Sequence, residues 1–417
     1  MRFCMLTTFY PPYHFGGDGV FVRRLSQALA ERGHWVDVVH NIDAWQALKT
    51  VGRCPEEPTH TRLRTIPLRS PFGFLSLVAM HQTGRSWGLH RHLRAIFEQG
   101  RYDVIHFHNI SLLGAPEILG WAQRTDAVTL YTAHDHWLVC PTHALWRNRR
   151  EHCERQTCLT CQLRSGRVPQ LWRYGTLRDQ ALQAVDAVLA PSRFCLELHR
   201  AFGLRQQMVH LPHFCPDIAM DSGASGPDLG RPTFLYSGRL ETLKGPQTLV
   251  ELFRTIPEAD LVVAGEGSLG RSLTTLSAGA DNIRFVGQLA QRDLAVLYRK
   301  AQAVIVPSLC HEVFGLAAIE ALAAGTPAIV RRLGALPELI EEGRTGYGYR
   351  TDEELRRAIQ NISRRETRAA MGLAARATYE AHWTLKQHLE AYLSLIECLR
   401  LKRGKSHKKA PIQGADV

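Results

Sequence analysis

The sequence lacks several features that would point to other classes of protein. Its 417 residues contain no uninterrupted apolar run of about 18 residues, so we expect no membrane-spanning helix. Residues 1–10 lack the long apolar region and cleavage site of a signal peptide. No Asp-x-Asp pair, nucleic-acid-binding motif or short repeat is present. These absences predict a cytoplasmic protein that does not bind nucleic acid.

The charge of the chain is strongly positive. The formal net charge is +12, which favours anionic partners such as nucleotide diphosphates or acidic lipid surfaces. Basic residues cluster at 85–94, 147–150 and 400–409. An ordinary solvated surface accounts for most of them, and peripheral contact with an anionic inner membrane face is the functional alternative. We expect the basic tail, residues 402–417, to be disordered.

Short β-branched runs alternate with longer helical patterns along the chain, which predicts an α/β fold with parallel sheets. The runs occupy residues 3–8, 36–40, 104–108, 128–132, 187–190, 208–211, 233–237, 261–264, 283–286, 303–306 and 328–330. A segment rich in Gly, Pro, Ser and Asp interrupts them at 212–232 and indicates a linker. The sequence therefore predicts two domains, at 1–211 and 233–378, with ligands binding between them at strand ends.

Two turns after predicted strands have residues suited to an anionic ligand. Gly16 and Gly17 precede a helix and would let the backbone approach a phosphate or a sugar. Arg239 and Lys244 lie five residues apart in a glycine-bounded turn after the first strand of the second domain. An arginine fork and a lysine point charge at this spacing can both reach one diphosphate.

A third turn decides the interpretation. Glu312 lies in the loop after the strand at 303–306, a helix begins near Gly315, and Glu320 follows within that helix. The helix N-terminus is suited to an anion. Two carboxylates beside a diphosphate would repel it unless they bound hydroxyl groups, so sugar and ribose hydroxyls are their natural partners.

The pattern Glu312-x7-Glu320, with Ser-Gly-Arg239 and Lys244-Gly before it and Gly-Thr-Pro after it, resembles the retaining family four glycosyltransferases (glycosyl transferases group 1). The resemblance covers nearly the whole chain and implies a GT-B fold, in which two Rossmann-like domains face each other across a cleft. It implies that Arg239 and Lys244 bind the donor diphosphate, that Glu320 binds the ribose and that Glu312 lies beside the donor sugar.

The same resemblance implies further donor contacts. A first-domain glycine loop, here Gly16 and Gly17, closes over the donor. Backbone amides that meet phosphate or sugar lie at Phe314, Gly315 and Leu316.

Two histidine-bearing turns follow apolar runs of the first domain and are expected to face the cleft. The resemblance implies that His134 contacts the donor sugar. His108 and Asp135 are candidates for the acceptor side, and an equally good interpretation is that they orient loops. His106 alternates with His108 along its strand, so we expect it to be buried.

Retention at the anomeric carbon would ordinarily suggest a carboxylate nucleophile, and the sequence offers no unambiguous one. The resemblance implies attack by the acceptor on the face that the nucleotide leaves. Arg239, Lys244 and the helix at Gly315 would stabilise the departing phosphate, and His134 and Glu312 would complete the catalytic set. No catalytic metal is expected at the diphosphate.

Four cysteines cluster just after the His134–Asp135 turn, within an insertion at about 138–165. Cys140, Cys153, Cys158 and Cys161 have the spacing C-x12-C-x4-C-x2-C. Four thiols in a reducing compartment favour a structural zinc site. An iron–sulfur cluster, a redox disulfide and free thiols are the alternatives. Some family members have a similar loop, so the cluster is predicted to mark a subgroup.

Residues 379–401 are predicted to form a packing helix, and the family resemblance implies that this helix crosses back to the first domain. The function predicted from the sequence is transfer of a sugar from a nucleoside-diphosphate sugar to an acceptor. The acceptor is expected to be a lipid-linked saccharide or polysaccharide precursor of a cell-surface glycan. The alternatives are a nucleotide-sugar isomerase or hydrolase on the same scaffold, and an inactive nucleotide-sugar-binding protein.

Overall fold

The structure, a computed structural model, describes residues 1–14, 16–48, 60–148, 150–218 and 231–407. Its strands are β1 Arg2–Leu6, β2 Trp35–Asn41, β3 Leu63–Leu68, β4 Val104–Phe107, β5 Val128–Thr132, β6 Trp146–Arg147, β7 Glu151–His152, β8 Ala187–Ala190, β9 Met208–His210, β10 Thr233–Ser237, β11 Asp260–Ala264, β12 Ile283–Gly287, β13 Ala303–Val306, β14 Ala328–Arg331 and β15 Gly346–Tyr349.

Its α-helices are α1 Gly17–Glu31, α2 Ile42–Leu48, α3 Phe74–Thr83, α4 His90–Gly100, α5 Glu117–Ala122, α6 Cys158–Arg164, α7 Leu177–Leu182, α8 Arg193–Ala201, α9 Pro246–Phe253, α10 Gly270–Leu276, α11 Gln291–Lys300, α12 Leu316–Ala323, α13 Asp352–Ile362, α14 Arg365–His382 and α15 Leu385–His407. Three 3-10 helices span Leu171–Tyr174, Thr242–Lys244 and Leu336–Leu339. None of the helices in the described ranges is both long and apolar enough to cross a membrane.

Two separate parallel sheets confirm the predicted α/β fold of GT-B type. The first has seven strands in the order β3-β2-β1-β4-β5-β8-β9, and the second has six in the order β12-β11-β10-β13-β14-β15. The strands within each sheet pair in parallel. A short antiparallel hairpin, β6 with β7, stands apart from both sheets.

Each sheet is buried on both faces, which is why its central strands consist of β-branched and other apolar residues. One core of the first sheet lies under α3, α4 and α5, and the other lies under α1 and α15. The second sheet likewise separates a core that contains α12 from one that contains α9 and α13. Burial of these four cores is the main source of stability in both domains.

The C-terminal helix α15 packs against the first sheet although it follows the second domain in sequence. Leu389, Tyr392 and Ile396 are buried there beside α1. The predicted boundaries of this helix differ from the structure. Position 379 still belongs to α14, which ends before Trp383, and α15 continues through His407 into the tail that was expected to be disordered. Residues 408–417 lie outside the described residues.

The first part of the predicted linker, residues 212–218, contains no helix or strand and follows β9. Residues 212–218 are packed between the domains, with the Cys215 amide donating to the Trp383 carbonyl at 3.1 Å. The Tyr379 hydroxyl donates to the Cys215 carbonyl at 3.0 Å. Residues 219–230 of the predicted linker lie outside the described residues.

Candidate active site

The order of strands in each sheet brings the predicted motifs to one cleft. Chain order reverses between β1 and β4 in the first sheet and between β10 and β13 in the second. Ligands of open parallel sheets bind at such reversal points, outside the carboxyl ends of the strands. The glycine loop follows β1, the Arg239 turn follows β10, and the Glu312 loop follows β13. The three turns singled out in the sequence are thus the turns that line the cleft.

Lys244 and Glu312 form a tight ion pair on the second-domain side of this cleft. The Lys244 Nζ lies 2.6 Å from the Glu312 Oε1, and the Ser308 hydroxyl donates to the same oxygen at 2.6 Å. Although burial alone would raise the pKa of Glu312, the Lys244 charge and these hydrogen bonds lower it. Glu312 is therefore ionised near neutral pH, and a diphosphate that binds Lys244 must share that ammonium with it.

The backbone between Lys244 and α9 explains why a glycine follows the lysine. Gly245 has φ +73°, and a Cβ there would lie 2.3 Å from the Pro307 carbonyl oxygen. A side chain would therefore force the Lys244 turn away from the Glu312 loop. The Leu309 amide also donates to the Leu243 carbonyl at 2.8 Å, which holds the two loops together.

Arg239 extends from its turn toward the first domain. Its carbonyl accepts a 2.6 Å hydrogen bond from the Tyr236 hydroxyl, which anchors the backbone and leaves the side chain exposed. A Cβ built on Gly16 would lie 3.6 Å from the Arg239 Nε. The predicted glycine loop and the predicted diphosphate-binding arginine therefore face each other across the cleft.

The second glycine of the loop meets the start of α12. A Cβ on Gly17 would lie 2.7 Å from the Leu316 Cδ1. Gly315 caps α12, where a Cβ would approach the side chains of Leu336 and Leu339 to less than 3.0 Å. No side-chain oxygen caps this helix and no acid lies in its first turn, so its N-terminal amides are suited to an anion.

Glu320 is held by one residue from each domain. The Arg24 Nη2 of α1 lies 3.1 Å from the Glu320 Oε1, and the Tyr298 hydroxyl donates to the Glu320 Oε2 at 2.9 Å. The side chains of Arg24 and Glu320 are only 12% and 17% exposed. The carboxylate predicted to bind ribose thus already forms an ion pair that joins the two domains.

His134 lies within a group of buried histidines. Its Nε2 lies 2.9 Å from the His108 Nδ1, its ring is 4.9 Å from that of His213, and the His106 ring is 4.0 Å from that of His108. Burial lowers the pKa of His134 to about 4, so the imidazole is neutral at neutral pH. His106 is buried as expected.

The structure does not place His108 on the acceptor side. This side chain is fully buried behind His134, so it orients His134 and does not reach the cleft. The reason is that β4 is a central strand with both faces covered, so alternation along it does not separate an exposed histidine from a buried one.

Asp135 lies at the cleft and is bound by its own turn and by the cysteine insertion. Its carboxylate accepts from the Trp137 amide at 2.8 Å and lies 2.8 Å from the His143 Nδ1. Burial opposes ionisation, and the His143 charge with these hydrogen bonds outweighs it, so the pKa of Asp135 is lowered. Asp18 lies near enough for the Asp135 charge to add to burial in raising the Asp18 pKa.

The four clustered cysteines are free thiols in the structure. The Asn148 amide donates to the Cys161 sulfur at 3.3 Å, and the Cys140 sulfur lies 3.3 Å from the Thr142 hydroxyl. Within the described ranges, no three His, Cys, Asp or Glu side chains are arranged as a metal site. A structural zinc ion at these cysteines therefore stays a prediction.

Polar contacts hold the two domains together around the cleft. The His136 ring donates to the His311 carbonyl at 2.8 Å, and the Ser192 hydroxyl donates to the Val313 carbonyl at 2.7 Å. The Glu338 carboxylate accepts from the first two amides of α8 at 2.9 and 2.6 Å. The first two contacts hold the backbone on either side of Glu312, and the Glu338 contacts join α8 to the 3-10 helix at Leu336–Leu339.

Four residues at the cleft were not identified from the sequence. Arg24 and Tyr298 bind Glu320, Ser308 binds Glu312, and Asp18 follows the glycine loop. Ser308 and Asp18 adjoin the predicted motifs, so proximity in sequence was a usable signal for them. Arg24 lies 296 residues from Glu320, and no local pattern links them.

Comparison with known proteins identifies the family. Residues 15–215 match the model of Glycosyltransferase Family 4, and residues 217–378 match that of Glycosyl transferases group 1. The glycogen synthase of Mycobacterium tuberculosis is 30% identical over 373 residues, which cover 83% of this chain and 81% of that protein. The chain belongs to the group 1 glycosyltransferases. A D-inositol 3-phosphate glycosyltransferase of Xylanimonas cellulosilytica is 29% identical to this glycosyltransferase over 357 residues, which cover 78% of this chain and 77% of that one.

Solved structures agree with the fold of this glycosyltransferase. The sucrose-phosphate synthase of Thermosynechococcus elongatus has a TM-score of 0.68 at 22% identity, with 98% of each chain covered. Anabaena HepE in complex with UDP has a TM-score of 0.64 at 17% identity and covers 95% of this chain and 100% of its own. Membership of a subgroup marked by the cysteine loop stays a prediction.

Proposed function

We propose that this glycosyltransferase moves a sugar from a nucleoside-diphosphate sugar to an acceptor with retention of the anomeric configuration. The observation that carries the proposal is the convergence on one cleft of Arg239, Lys244, the uncapped end of α12 and two acids. Two cations and a helix N-terminus suit a diphosphate, and two carboxylates suit the hydroxyls on either side of it. The residues that hydrogen-bond to these groups come from both domains, as expected for a ligand that is enclosed between the domains.

In this reaction the bond between the anomeric carbon and the diphosphate oxygen breaks, and the acceptor oxygen bonds to that carbon on the same face. The acceptor proton passes to the departing phosphate. Arg239, Lys244 and the amides of α12 stabilise the charge on that phosphate, which lowers the barrier. These groups come from this chain, and the proposal includes no catalytic metal.

His134 acts as a neutral hydrogen-bonding group at the donor sugar. Burial keeps the imidazole unprotonated, and His108 fixes the orientation of the ring. Glu312, ionised and beside Lys244, accepts hydrogen bonds from sugar hydroxyls. Asp135, ionised on the first-domain side, is the remaining candidate for the acceptor side.

The acceptor in this proposal is a saccharide or a lipid-linked saccharide, as the sequence suggested. UDP is the first nucleotide to test, because Anabaena HepE binds UDP in a chain of the same fold. Sequence identity between the two is low, so GDP, ADP and dTDP belong in the same experiment.

The test is binding of these four nucleotides to wild type, Arg239→Ala and Glu320→Ala, measured by thermal shift and calorimetry. A ligand that binds only the native state raises the melting temperature. We expect one nucleotide to stabilise wild type, with loss of the shift in both variants. Arg365→Ala, at the exposed start of α14, is the matched control and should keep the shift.

Product analysis separates this reaction from its alternatives. Nucleotide release that needs a saccharide acceptor supports a transferase, and equal release without one supports a hydrolase. The anomeric configuration of the product, read by NMR, tests retention. A wild type that binds none of the four nucleotides would contradict the proposed site.

A further inference from the structure

One surface of the first domain exposes large apolar side chains. Around α3, the side chains of Phe72, Phe74 and Leu75 are 62%, 64% and 71% exposed, and Val78 and Trp87 are also exposed. Single exposed apolar residues are common on protein surfaces, whereas a group of this size marks an interaction site.

A second segment extends this surface. Val168, Leu171 and Tyr174 are exposed in and beside the 3-10 helix at Leu171–Tyr174. The Trp172 indole donates to the His81 carbonyl of α3 at 3.0 Å, and the Gln82 amide donates to the Val168 carbonyl at 3.4 Å. These bonds join the two segments into one surface, the apolar face, which consists of Phe72, Phe74, Leu75, Val78, Val168, Leu171 and Tyr174.

The two segments that form the apolar face have side-chain charges of one sign. Residues 58–97 and 155–178 contain no Asp or Glu. Arg69, Arg85, Arg164 and Arg167 are exposed within these two segments. Glu117 reaches the region from α5, where it accepts hydrogen bonds from the amide and hydroxyl of Ser86.

We propose that the apolar face docks on the surface of an anionic bilayer. Aromatic and aliphatic side chains enter the boundary between headgroups and acyl chains, and arginines around them bind acidic headgroups. The observation that favours a bilayer over a protein partner is this charge pattern. Two segments that contain arginines and no acids complement a continuous layer of negative charge, and the chain as a whole has a net charge of +12.

The apolar face is physically connected to the cleft. Arg173 stacks between the rings of Trp172 and Trp137, at 4.6 and 4.9 Å, and its Nη1 donates to the Trp137 carbonyl at 2.8 Å. Trp137 ends the turn that contains His134 and Asp135. Docking would therefore bring the acceptor side of the cleft toward the lipid headgroups, a consequence that rests on the proposed transferase function.

The experiment is flotation of the full chain with vesicles of phosphatidylcholine alone and of equimolar phosphatidylcholine and phosphatidylglycerol. We expect wild type to float only with the anionic vesicles, and to do so less as salt is raised. Phe74→Ser with Leu75→Ser should weaken binding at least about tenfold, because two large apolar side chains lose their burial. Arg164→Gln with Arg167→Gln should weaken binding to anionic vesicles by about fivefold per arginine.

Leu373→Ser is the matched control, because Leu373 is 79% exposed on α14 of the other domain. It should bind vesicles like wild type. Nucleotide-induced thermal shifts, measured in all variants, should stay unchanged, so a failure to dock and a failure of the proposed function are distinguishable. Wild type that does not float with anionic vesicles would overturn the proposal. A dimer that Phe74→Ser with Leu75→Ser dissociates, with no vesicle binding, would assign the face to a second copy of the chain.

Discussion

Replacing Glu312 with glutamine removes a buried charge while it keeps the size of the side chain. In the structure, the Glu312 carboxylate binds the Lys244 ammonium at 2.6 Å, and the two side chains are 16% and 28% exposed. A hydrogen bond to a charged group contributes about 1.5–3 kcal/mol. If Glu312 binds the donor sugar and also competes with the diphosphate for Lys244, the substitution should weaken contacts to the sugar. The same substitution should strengthen contacts to the diphosphate.

We expect Glu312→Gln to bind the free nucleoside diphosphate as tightly as wild type or up to about tenfold more tightly. Lys244 no longer shares its charge, and one negative group near the phosphates is gone. Transfer should fall by about 10- to 150-fold in kcat/KM, which corresponds to about 1.5–3 kcal/mol of lost stabilisation of the transition state. Calorimetry with the nucleotide and steady-state kinetics with the donor measure the two effects separately.

Ser308→Ala is the control for this experiment. It removes the 2.6 Å hydrogen bond from the serine hydroxyl and leaves the Glu312 charge in place. It should reduce kcat/KM by only about fivefold, since one neutral donor contributes about 1 kcal/mol. If Glu312→Gln instead bound the nucleotide at least tenfold more weakly, Glu312 would serve mainly to position Lys244, and the sugar-binding role would be refuted.

Three further predictions concern the cleft, the histidines and the cysteines. Arg24→Met should lower the free energy of unfolding by about 1–3 kcal/mol. This loss is smaller than for a fully buried ion pair, because Glu320 keeps its hydrogen bond from Tyr298. An unchanged urea midpoint would show that the Arg24–Glu320 pair is not formed in solution. Burial lowers the pKa of His388 to about 4, against about 6.5 in an unfolded chain. The unfolded state therefore takes up a proton first, so stability is complete above about pH 6.5 and falls as the pH decreases toward 4. His388→Asn, which can keep the bond to the Pro212 carbonyl, should show a smaller loss of urea midpoint over this range than wild type. Metal analysis should find about one zinc per chain, lost in Cys158→Ser, and purified protein without zinc or iron would exclude the metal.

Most strands could be predicted because central parallel strands are buried on both sides and consist of continuous β-branched runs. Four of the predicted runs, 128–132, 187–190, 233–237 and 303–306, coincide with strands of the structure. The edge strand β3 was missed because it has no such run: its middle residues are mostly exposed and it contains Pro67, which an edge tolerates. The other missed edge strand, β15, has the sequence Gly-Tyr-Gly-Tyr and lacks β-branched residues.

The helical pattern of apolar residues over 171–184 predicts one helix, whereas the structure has a 3-10 helix and the short helix α7 there, separated near Gly175. The apolar residues of this segment do recur at helical spacing, but some of them face the core and others face solvent. Leu182 is buried in the core, whereas Leu171 is exposed. Periodicity alone does not show which apolar residues are covered, so the apolar face could not be found from the sequence.

The residues of the candidate site were likewise only partly predictable from the sequence. Short motifs were enough to propose Arg239, Lys244, Glu312 and Glu320 as candidates, because phosphate and hydroxyl recognition needs those residue types at strand ends. Their partners across the cleft were not predictable, since they depend on how two domains approach each other. The burial of His108 depends likewise on what covers β4.

Both acids of the candidate donor site are paired with a cation in the structure. Glu312 binds Lys244 within the second domain, and Glu320 binds Arg24 from the first. Under the proposed function, donor binding would exchange existing ion pairs for contacts to phosphate and hydroxyl groups. Only the free-energy difference between the two sets of contacts would appear as affinity. The exchange at Glu320 also involves a bond between the domains. In the proposed site, nucleotide binding would therefore be coupled to the position of α1, and the same helix begins with the glycine loop that faces Arg239.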